Sequence, residues 1–221
     1  MSNILVIAPH PDDETLGCGG TLFRRKEEGD VLHWLTVTGI SEDLGWSKAT
    51  VKTRKAEIKT IENKYGFKNS FHLSLPAKKI DTLPISELIE KIKNIYKKIE
   101  PEIIFIPFIY DIHTDHQIVG KAIQSTLKWF RSPYVKKVLM YETPSETDFN
   151  FLEKKNFRPN VFINISKYLD HKVKAMKIYK TETGKFPFPR SEKNIRSLAA
   201  YRGSQSGFKA AEAFELVYER K

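Results

Sequence analysis

Histidine and acidic side chains occur together in two short clusters, which carry the metal-binding chemistry that the sequence offers. The first cluster is His10, Asp12, Asp13 and Glu14, and the second is His113, Asp115 and His116. Imidazole and carboxylate ligands together suit a divalent transition metal, above all zinc. A catalytic zinc has three protein ligands and keeps one position for water. Because two adjacent aspartates rarely both face one ion, we expect one of Asp12 and Asp13 to be a ligand and the other to face the water.

The spacing of the two histidines in the second cluster favours a shared ligand role. His113 and His116 are three residues apart, so at a helix start they can lie on one side of a turn. The positive end of that helix disfavours protonation of His116, and the neutral imidazole is the form that binds metal. Thr114 and Gln117 have the spacing of a capping box, which predicts that the helix begins here.

Each of these residues also has a purely structural interpretation. A histidine at the end of a strand is more often a polar loop residue than a ligand. Asp12 or Asp13 can act as a helix N-cap, and Glu14 can simply compensate the helix dipole, so we expect no catalytic role for Glu14. Cys18 is expected to be a small buried residue. The other histidines stand alone and are expected to be structural or on the surface; they are His33, His72 and His171.

Two continuous apolar runs position the clusters. Residues 4–8 and 103–106 have the composition of strands that are buried on both faces in a parallel sheet. Pro9 and Pro107 end these strands, because proline has no backbone N–H for the sheet ladder. Open α/β sheets place their ligands at the carboxyl ends of the strands. If the two strands are near neighbours, the clusters therefore converge above the sheet.

Strands and helices alternate along the rest of the chain. The predicted strands span 4–8, 31–38, 67–75, 103–106, 136–142, 160–165 and 212–218. The predicted helices span 13–29, 47–65, 83–99, 115–130, 168–179 and 192–201. This alternation predicts a mostly parallel sheet with helices on both faces, formed by one domain that covers residues 1–221. Residues 143–158 are expected to form a polar surface excursion, and Gly17, Gly19 and Gly20 to let the first helix approach the sheet closely.

The composition limits the classes of partner. Lysine and arginine number 37 against 27 acidic residues, a formal net charge of +10, but the basic residues are interleaved with acids along the predicted helices. A solvated helix surface has that pattern, and no nucleic-acid-binding motif accompanies it, so we expect no nucleic-acid partner. No apolar run approaches the about 20 residues of a membrane span, and the N-terminus lacks the features of a signal peptide. Together with the single cysteine, this predicts a cytoplasmic protein.

Residues 8–14 (APHPDDE), 16–21 (LGCGGT) and 113–116 (HTDH) resemble the motifs of the PIG-L/LmbE family of zinc-dependent N-deacetylases. Residues 54–57 (RKAE) and, more loosely, 199–202 (AAYR) extend the resemblance over most of the chain. It implies an α/β fold, a Rossmann-like three-layer sandwich with a mostly parallel central sheet. It also implies one zinc ion per chain and a small-molecule amino-sugar substrate. The sequence leaves open whether that substrate is linked to a nucleotide or a lipid. It also leaves open whether the protein forms oligomers.

The resemblance also implies a role for each residue of the site. The implied zinc ligands are His10, Asp13 and His116. Asp12 would be the general base, and His113, in its protonated form, would stabilise the oxyanion or act as general acid. Asp115 would orient His113, and Arg54 would contact the substrate.

Other functions compete with this interpretation. A phosphoesterase often uses two metals with a bridging carboxylate, whereas the sequence has one tight ligand set. A non-catalytic module for anionic glycans or nucleotides would suit the basic charge. A strict dinucleotide fold is rejected, because residues 17–20 (GCGG) do not complete G-x-G-x-x-G and follow three acids. A role for Arg202 stays open, since Gly203 interrupts the family's pattern there. Specificity is expected to come from five loops, at 39–46, 78–83, 108–112, 143–157 and 181–191.

Overall fold

The computed structural model describes residues 1–151 and 155–221, and a single sheet forms its centre. The strands are β1 (Asn3–Ala8), β2 (Val31–Gly39), β3 (Asn69–Pro76), β4 (Ile103–Pro107), β5 (Lys137–Tyr141), β6 (Val161–Asn164) and β7 (Ala211–Glu219). They follow the order β3-β2-β1-β4-β5-β7-β6. The first five strands pair in parallel, and β7 runs antiparallel to both β5 and β6. The expected α/β fold with a mostly parallel central sheet is confirmed.

Helices cover both faces of this sheet. They are α1 (Asp13–Glu27), α2 (Lys48–Tyr65), α3 (Ile85–Ile99), α4 (Thr114–Thr126), α5 (Leu169–Met176) and α6 (Glu192–Ser204). Ile4 and Val6 pack in one apolar cluster with side chains of α1, α2 and α5, whereas Leu5 and Ile7 pack in another with α3 and α4. β1 is therefore buried on both faces, as its composition predicted. Among the described residues, no helix combines the length and apolar character that crossing a membrane requires.

Two predicted features of α4 are wrong. The helix ends at Thr126 rather than at residue 130. The Ser132 hydroxyl donates to the Thr126 carbonyl at 2.9 Å, which satisfies one of the last carbonyls of the helix as the chain turns away. At the other end the N-cap is His113 rather than Thr114, because the His113 Nδ1 atom accepts the N–H of Asp115 at 3.1 Å. A histidine ring thus replaces the predicted capping box.

The glycine-rich part of α1 packs closely against neighbouring elements, as expected. A Cβ atom added at Gly17 would lie 2.1 Å from the Tyr141 ring, and one at Gly20 would lie 2.8 Å from Ile165. The helix is kinked at Cys18, which has φ −140° and ψ 20° and is fully buried. A side chain at position 17 would push α1 away from β5, and one at position 20 would push it away from Ile165, which follows β6. The first histidine-acid cluster would move with the helix.

The kink frees backbone N–H groups that a distant carboxylate satisfies. Gly20 and Thr21 donate their N–H groups to Glu212 at 2.9 and 2.7 Å. Lys172 pairs with Glu212 at 2.6 Å and donates to the Leu16 carbonyl at 2.7 Å. Glu212 belongs to the antiparallel strand β7, so this strand helps to hold the kinked helix that carries the first cluster.

Candidate metal centre

The two histidine-acid clusters meet at the carboxyl edge of the sheet. β1 and β4 are direct neighbours and parallel, so the loops that follow them lie side by side. The ring centroid of His10 is 4.5 Å from that of His113 and 5.3 Å from that of His116. The convergence that the sequence predicted for neighbouring strands is therefore observed.

Three side chains offer ligand atoms that all lie within 4.8 Å of one another, and they are His10, Asp13 and His116. The Asp13 Oδ2 atom lies 3.3 Å from His10 Nδ1 and 3.3 Å from His116 Nε2. Asp13 and His116 are buried, and His10 is partly exposed. A second group with similar spacing consists of His10, His113 and Asp115. Because both groups include His10, they form one site rather than two independent ones.

Asp111 supports a ligand role for His116. Its Oδ2 atom accepts the Nδ1–H of His116 at 2.8 Å, and both side chains are fully buried. In the neutral ring the proton is on Nδ1 and the lone pair is on Nε2, an atom that has no hydrogen-bond partner among the described residues. A buried lone pair that faces the Asp13 carboxylate fits a bound cation, and a carboxylate behind the histidine is common at such sites. The residues present therefore fit a divalent metal.

The electrostatics of the cluster favour positive charge. Burial opposes protonation of His10, but hydrogen bonds to Asp115 and Asp13 outweigh it and raise the pKa of His10 to about 9. Burial also opposes the charging of His116, and again nearby carboxylates, Asp13 and Asp111, raise its pKa well above the ordinary value. Protons on these rings take the place of a cation, so metal binding would release them.

Asp12 lies beside this set in an unusual backbone conformation, with φ 143° and ψ −28°. Its side chain is 2% exposed, and Arg190 Nη1 donates to its Oδ2 atom at 2.8 Å. Burial and the neighbouring Asp13 charge raise the pKa of Asp12, while Arg190 opposes that rise. Arg190 therefore favours the ionised form of Asp12, which is the form that a general base requires.

His113 is neutral, contrary to the expectation of a protonated ring. Burial and the nearby rings of His10 and His116 lower the pKa of His113 to about 4. Since its Nδ1 atom accepts the N–H of Asp115, the ring proton is on Nε2. The Asp115 carboxylate accepts from His10 Nε2 at 3.0 Å and from the Lys78 N–H at 2.8 Å. Asp115 thus orients His113 through its backbone N–H and His10 through its side chain.

A cavity of about 530 Å³ opens beside these residues and is lined by His10, Asp12 and His113. Four of the five predicted specificity loops contribute to its wall, namely 39–46, 78–83, 143–157 and 181–191. The indole of Trp46 is 48% exposed on this wall. The fifth loop, at 108–112, instead places Asp111 against His116.

Arg54 also lines the cavity, but protein groups already accept its hydrogen bonds. Its Nη1 donates to the Pro11 carbonyl at 3.0 Å, and its Nη2 donates to the Thr181 hydroxyl at 2.9 Å and to Glu182. It further pairs with Glu57 at 3.3 Å. Arg54 therefore connects the backbone of the first cluster to the loop that carries Glu182.

Several charged residues of the site were not named from the sequence, and they are Asp111, Glu146, Glu182 and Arg190. Arg190 lies 3.1 Å from Glu146 and 3.2 Å from Glu182, in addition to its bond with Asp12. The prediction of a surface excursion at 143–158 is wrong where this segment begins, since Thr143 is fully buried and Glu146 is 9% exposed. Residues 152–154 of that segment lie outside the described residues. The only available signal was the placement of these charges in predicted specificity loops.

Cys18 and His33, which were expected to be structural, are buried. Arg202, whose role the sequence left open, makes two hydrogen bonds to Glu142, at 2.7 and 2.6 Å, and does not line the cavity beside the histidines. Glu14 lies in the first turn of α1, where dipole compensation was expected, and it is fully buried.

Known proteins are similar to this chain in sequence and in fold. Diacetylchitobiose deacetylase from Thermococcus kodakarensis is 24% identical over 233 residues, which cover 98% of this chain and 84% of that protein. The probable N-acetyl-alpha-D-glucosaminyl L-malate deacetylase 2 from Bacillus cereus is 25% identical over 190 residues, which cover 82% of this chain and 84% of that protein. The solved structure of 4-carboxy-2-hydroxymuconate hydratase from Pseudomonas putida has a TM-score of 0.76 at 18% identity and covers 100% of this chain and 98% of its own. That likeness concerns the fold alone, since one fold can host different reactions.

The family assignment rests on the part of the chain that carries the site. Residues 5–127 match the family described as PIG-L: GlcNAc-PI de-N-acetylase. This segment is more than half of the chain, and it includes both histidine-acid clusters. The chain therefore belongs to the PIG-L family.

Proposed function

We propose that this protein is a metal-dependent N-deacetylase that removes an N-acetyl group from an amino sugar or a glycoconjugate. The observation that carries the proposal is the juxtaposition of one ligand set with one spare carboxylate. His10, Asp13 and His116 cluster as ligands, and Asp12 lies beside them on the wall of the cavity. The names of the two deacetylase relatives support the choice of an amide bond on an amino sugar as the target.

His10, Asp13 and His116 would hold the metal, and the donor set of two imidazoles and one carboxylate favours zinc. When bound, such an ion supplies Lewis acidity, which acidifies a water molecule and stabilises negative charge on an acyl oxygen. The sharing of His10 between the two candidate groups supports one ion per chain. It argues against the two-metal arrangement of a phosphoesterase.

Asp12 would act as general base and take a proton from the attacking water. Arg190 keeps Asp12 ionised for this step. His113 would donate its Nε2–H as a neutral hydrogen bond to the oxyanion, because its Nδ1 atom is occupied as an acceptor. A neutral imidazole is a poor proton donor to an amine. The proton that the leaving amine needs would therefore come from Asp12, which received it in the first step.

The cavity suits a neutral sugar. Its volume of about 530 Å³ is in the range of small-molecule sites. The charged groups on its wall largely neutralise one another, since Arg54 and Arg190 both pair with Glu182. Trp46 presents an apolar surface on which a sugar ring can stack. A free or glycosidically linked N-acetylated sugar fits this lining.

The compartment proposed for the protein is the cytoplasm, because the single buried thiol of Cys18 suits a reducing environment.

The decisive experiment measures acetate release from free, nucleotide-linked and lipid-linked N-acetyl sugars by zinc-loaded protein, with and without a chelator. We expect release from at least one amino sugar and loss of that release with the chelator. The Asp12→Asn variant should retain its metal but lose about 10²- to 10⁴-fold in kcat. Asp170→Asn, which changes an exposed aspartate in α5 away from the cavity wall, serves as the matched control. Absence of acetate release from every substrate, or a fully active Asp12→Asn variant, would refute the proposal.

A further inference from the structure

Glu14 is a buried carboxylate that the proposed reaction does not use. It is fully buried, and both of its oxygen atoms have partners. Oε1 accepts from the Thr15 hydroxyl at 2.6 Å and from the Tyr179 hydroxyl at 2.9 Å. Oε2 accepts the backbone N–H of Asp12 at 3.1 Å. A carboxylate that only compensated a helix dipole would not need to be buried at the cost of losing its water.

The backbone of Asp12 requires support. Its φ of 143° lies in a region that residues with a side chain rarely adopt, and such conformations cost on the order of 1–3 kcal/mol. The Asp12 carbonyl accepts the N–H groups of Thr15 and Leu16, at 3.0 and 2.9 Å, which begin α1. Its N–H is turned towards the Glu14 side chain.

The peptide unit between Pro11 and Asp12 is held from both sides. Glu14 accepts the N–H of this unit at 3.1 Å, and Arg54 Nη1 donates to its carbonyl, that of Pro11, at 3.0 Å. The plane of the peptide cannot rotate without breaking both bonds. Rotation of this plane would redirect the Cα–Cβ bond of Asp12 and hence its carboxylate.

We infer that Glu14 and Arg54 are positioning residues that clamp the Pro11–Asp12 peptide and thereby aim the Asp12 carboxylate into the cavity. The inference rests on the proposed function, because it assumes that Asp12 is the base. Arg54 thus acts through the backbone of the first cluster and not chiefly through contact with a substrate. The clamp also explains why a fully buried acid follows the paired aspartates.

The test compares Glu14→Leu, Glu14→Gln and Arg54→Met. Misplacing a reacting group by about 1 Å can cost about 10²-fold, so Glu14→Leu should lower kcat by about that factor while KM changes little. Glu14→Gln retains an acceptor for the Asp12 N–H and should restore most of kcat. Arg54→Met should lower kcat as well, since it opens the clamp from the other side. Tyr179→Phe is the matched control: it removes a partner of Glu14 but leaves the bond to Asp12, so its kcat should stay close to that of the wild type.

Two further readouts separate positioning from a general loss of structure. Combining Glu14→Leu with Asp12→Asn should cost little beyond Asp12→Asn alone, because both changes remove the same function. Hydrogen exchange of the Asp12 amide should be faster in Glu14→Leu than in the wild type and in Glu14→Gln. An active wild type with equal kcat and equal Asp12 exchange in Glu14→Leu would overturn the inference alone. A wild type that releases no acetate from any substrate would overturn the proposed function and the inference with it.

Discussion

Substitution of Asp111 tests whether the structure has identified the metal ligand correctly. The Asp111 carboxylate accepts the Nδ1–H of His116 at 2.8 Å in a fully buried pair, so it fixes which ring nitrogen carries the lone pair. Its other oxygen accepts the Thr147 hydroxyl at 2.6 Å. Asp111→Asn keeps an acceptor for His116 but removes the negative charge, whereas Asp111→Ala removes the acceptor altogether.

The expected magnitude follows from this geometry. Loss of a carboxylate behind a ligating histidine typically weakens metal binding by about 10- to 100-fold, or about 1.4–2.8 kcal/mol. Asp111→Asn should weaken zinc binding by a factor near the lower end of this range, because a neutral hydrogen bond survives. Asp111→Ala should weaken it by a factor near the upper end, because the buried Nδ1–H of His116 then has no acceptor.

The assay is competition for zinc between the protein and a chelator of known affinity, with circular dichroism to verify folding. Thr147→Val is the matched control, since it removes a partner of Asp111 without touching the bond to His116. Its zinc affinity should stay within about threefold of the wild type. Wild-type zinc affinity in a folded Asp111→Ala protein would mean that His116 is not a ligand, and the metal site described above would have to be abandoned.

Three other changes probe the scaffold by urea unfolding. Gly17→Ala places a Cβ atom 2.1 Å from the Tyr141 ring and should lower the free energy of unfolding by about 1–3 kcal/mol; an unchanged value would contradict the close packing. Burial lowers the pKa of His33 from 6.5 to about 4, so the unfolded chain binds a proton there that the folded chain does not. Stability should therefore fall as the pH drops from 6.5 towards 4, and His33→Leu should reduce that slope by up to about 1.4 kcal/mol per pH unit; parallel curves would argue against it. Lys172→Met leaves Glu212 buried without its cation and should cost about 3–5 kcal/mol, part of which Glu212→Gln should restore in the double variant.

Local patterns in the sequence determined the sheet and the position of the site. Continuous apolar runs such as 4–8 occur where a strand is buried on both faces, and the prolines after them end the ladder. Because parallel strands share a carboxyl edge, the two clusters had to lie on the same edge of the sheet. Their residue types then favoured a metal centre as the chemistry of the site. These inferences need only neighbours in sequence and the geometry of βαβ units.

Other features depended on contacts that no local pattern encodes. Glu212 reaches α1 because β7 runs antiparallel beside β5, and neither the direction nor the order of that strand follows from its composition. Arg190 joins Asp12 across 178 residues, and an arginine in a polar loop has many possible partners.

Burial and hydrogen bonding also determined the protonation states and the partners of the charged groups. His113 is neutral because it is buried beside two other imidazoles. Glu14 can hold the Pro11–Asp12 peptide because it is buried and accepts the N–H of Asp12. Periodicity and residue type thus determine which elements form and where ligands gather. The protonation state and the orientation of each side chain depend on distances between remote segments, and only the folded chain sets those distances.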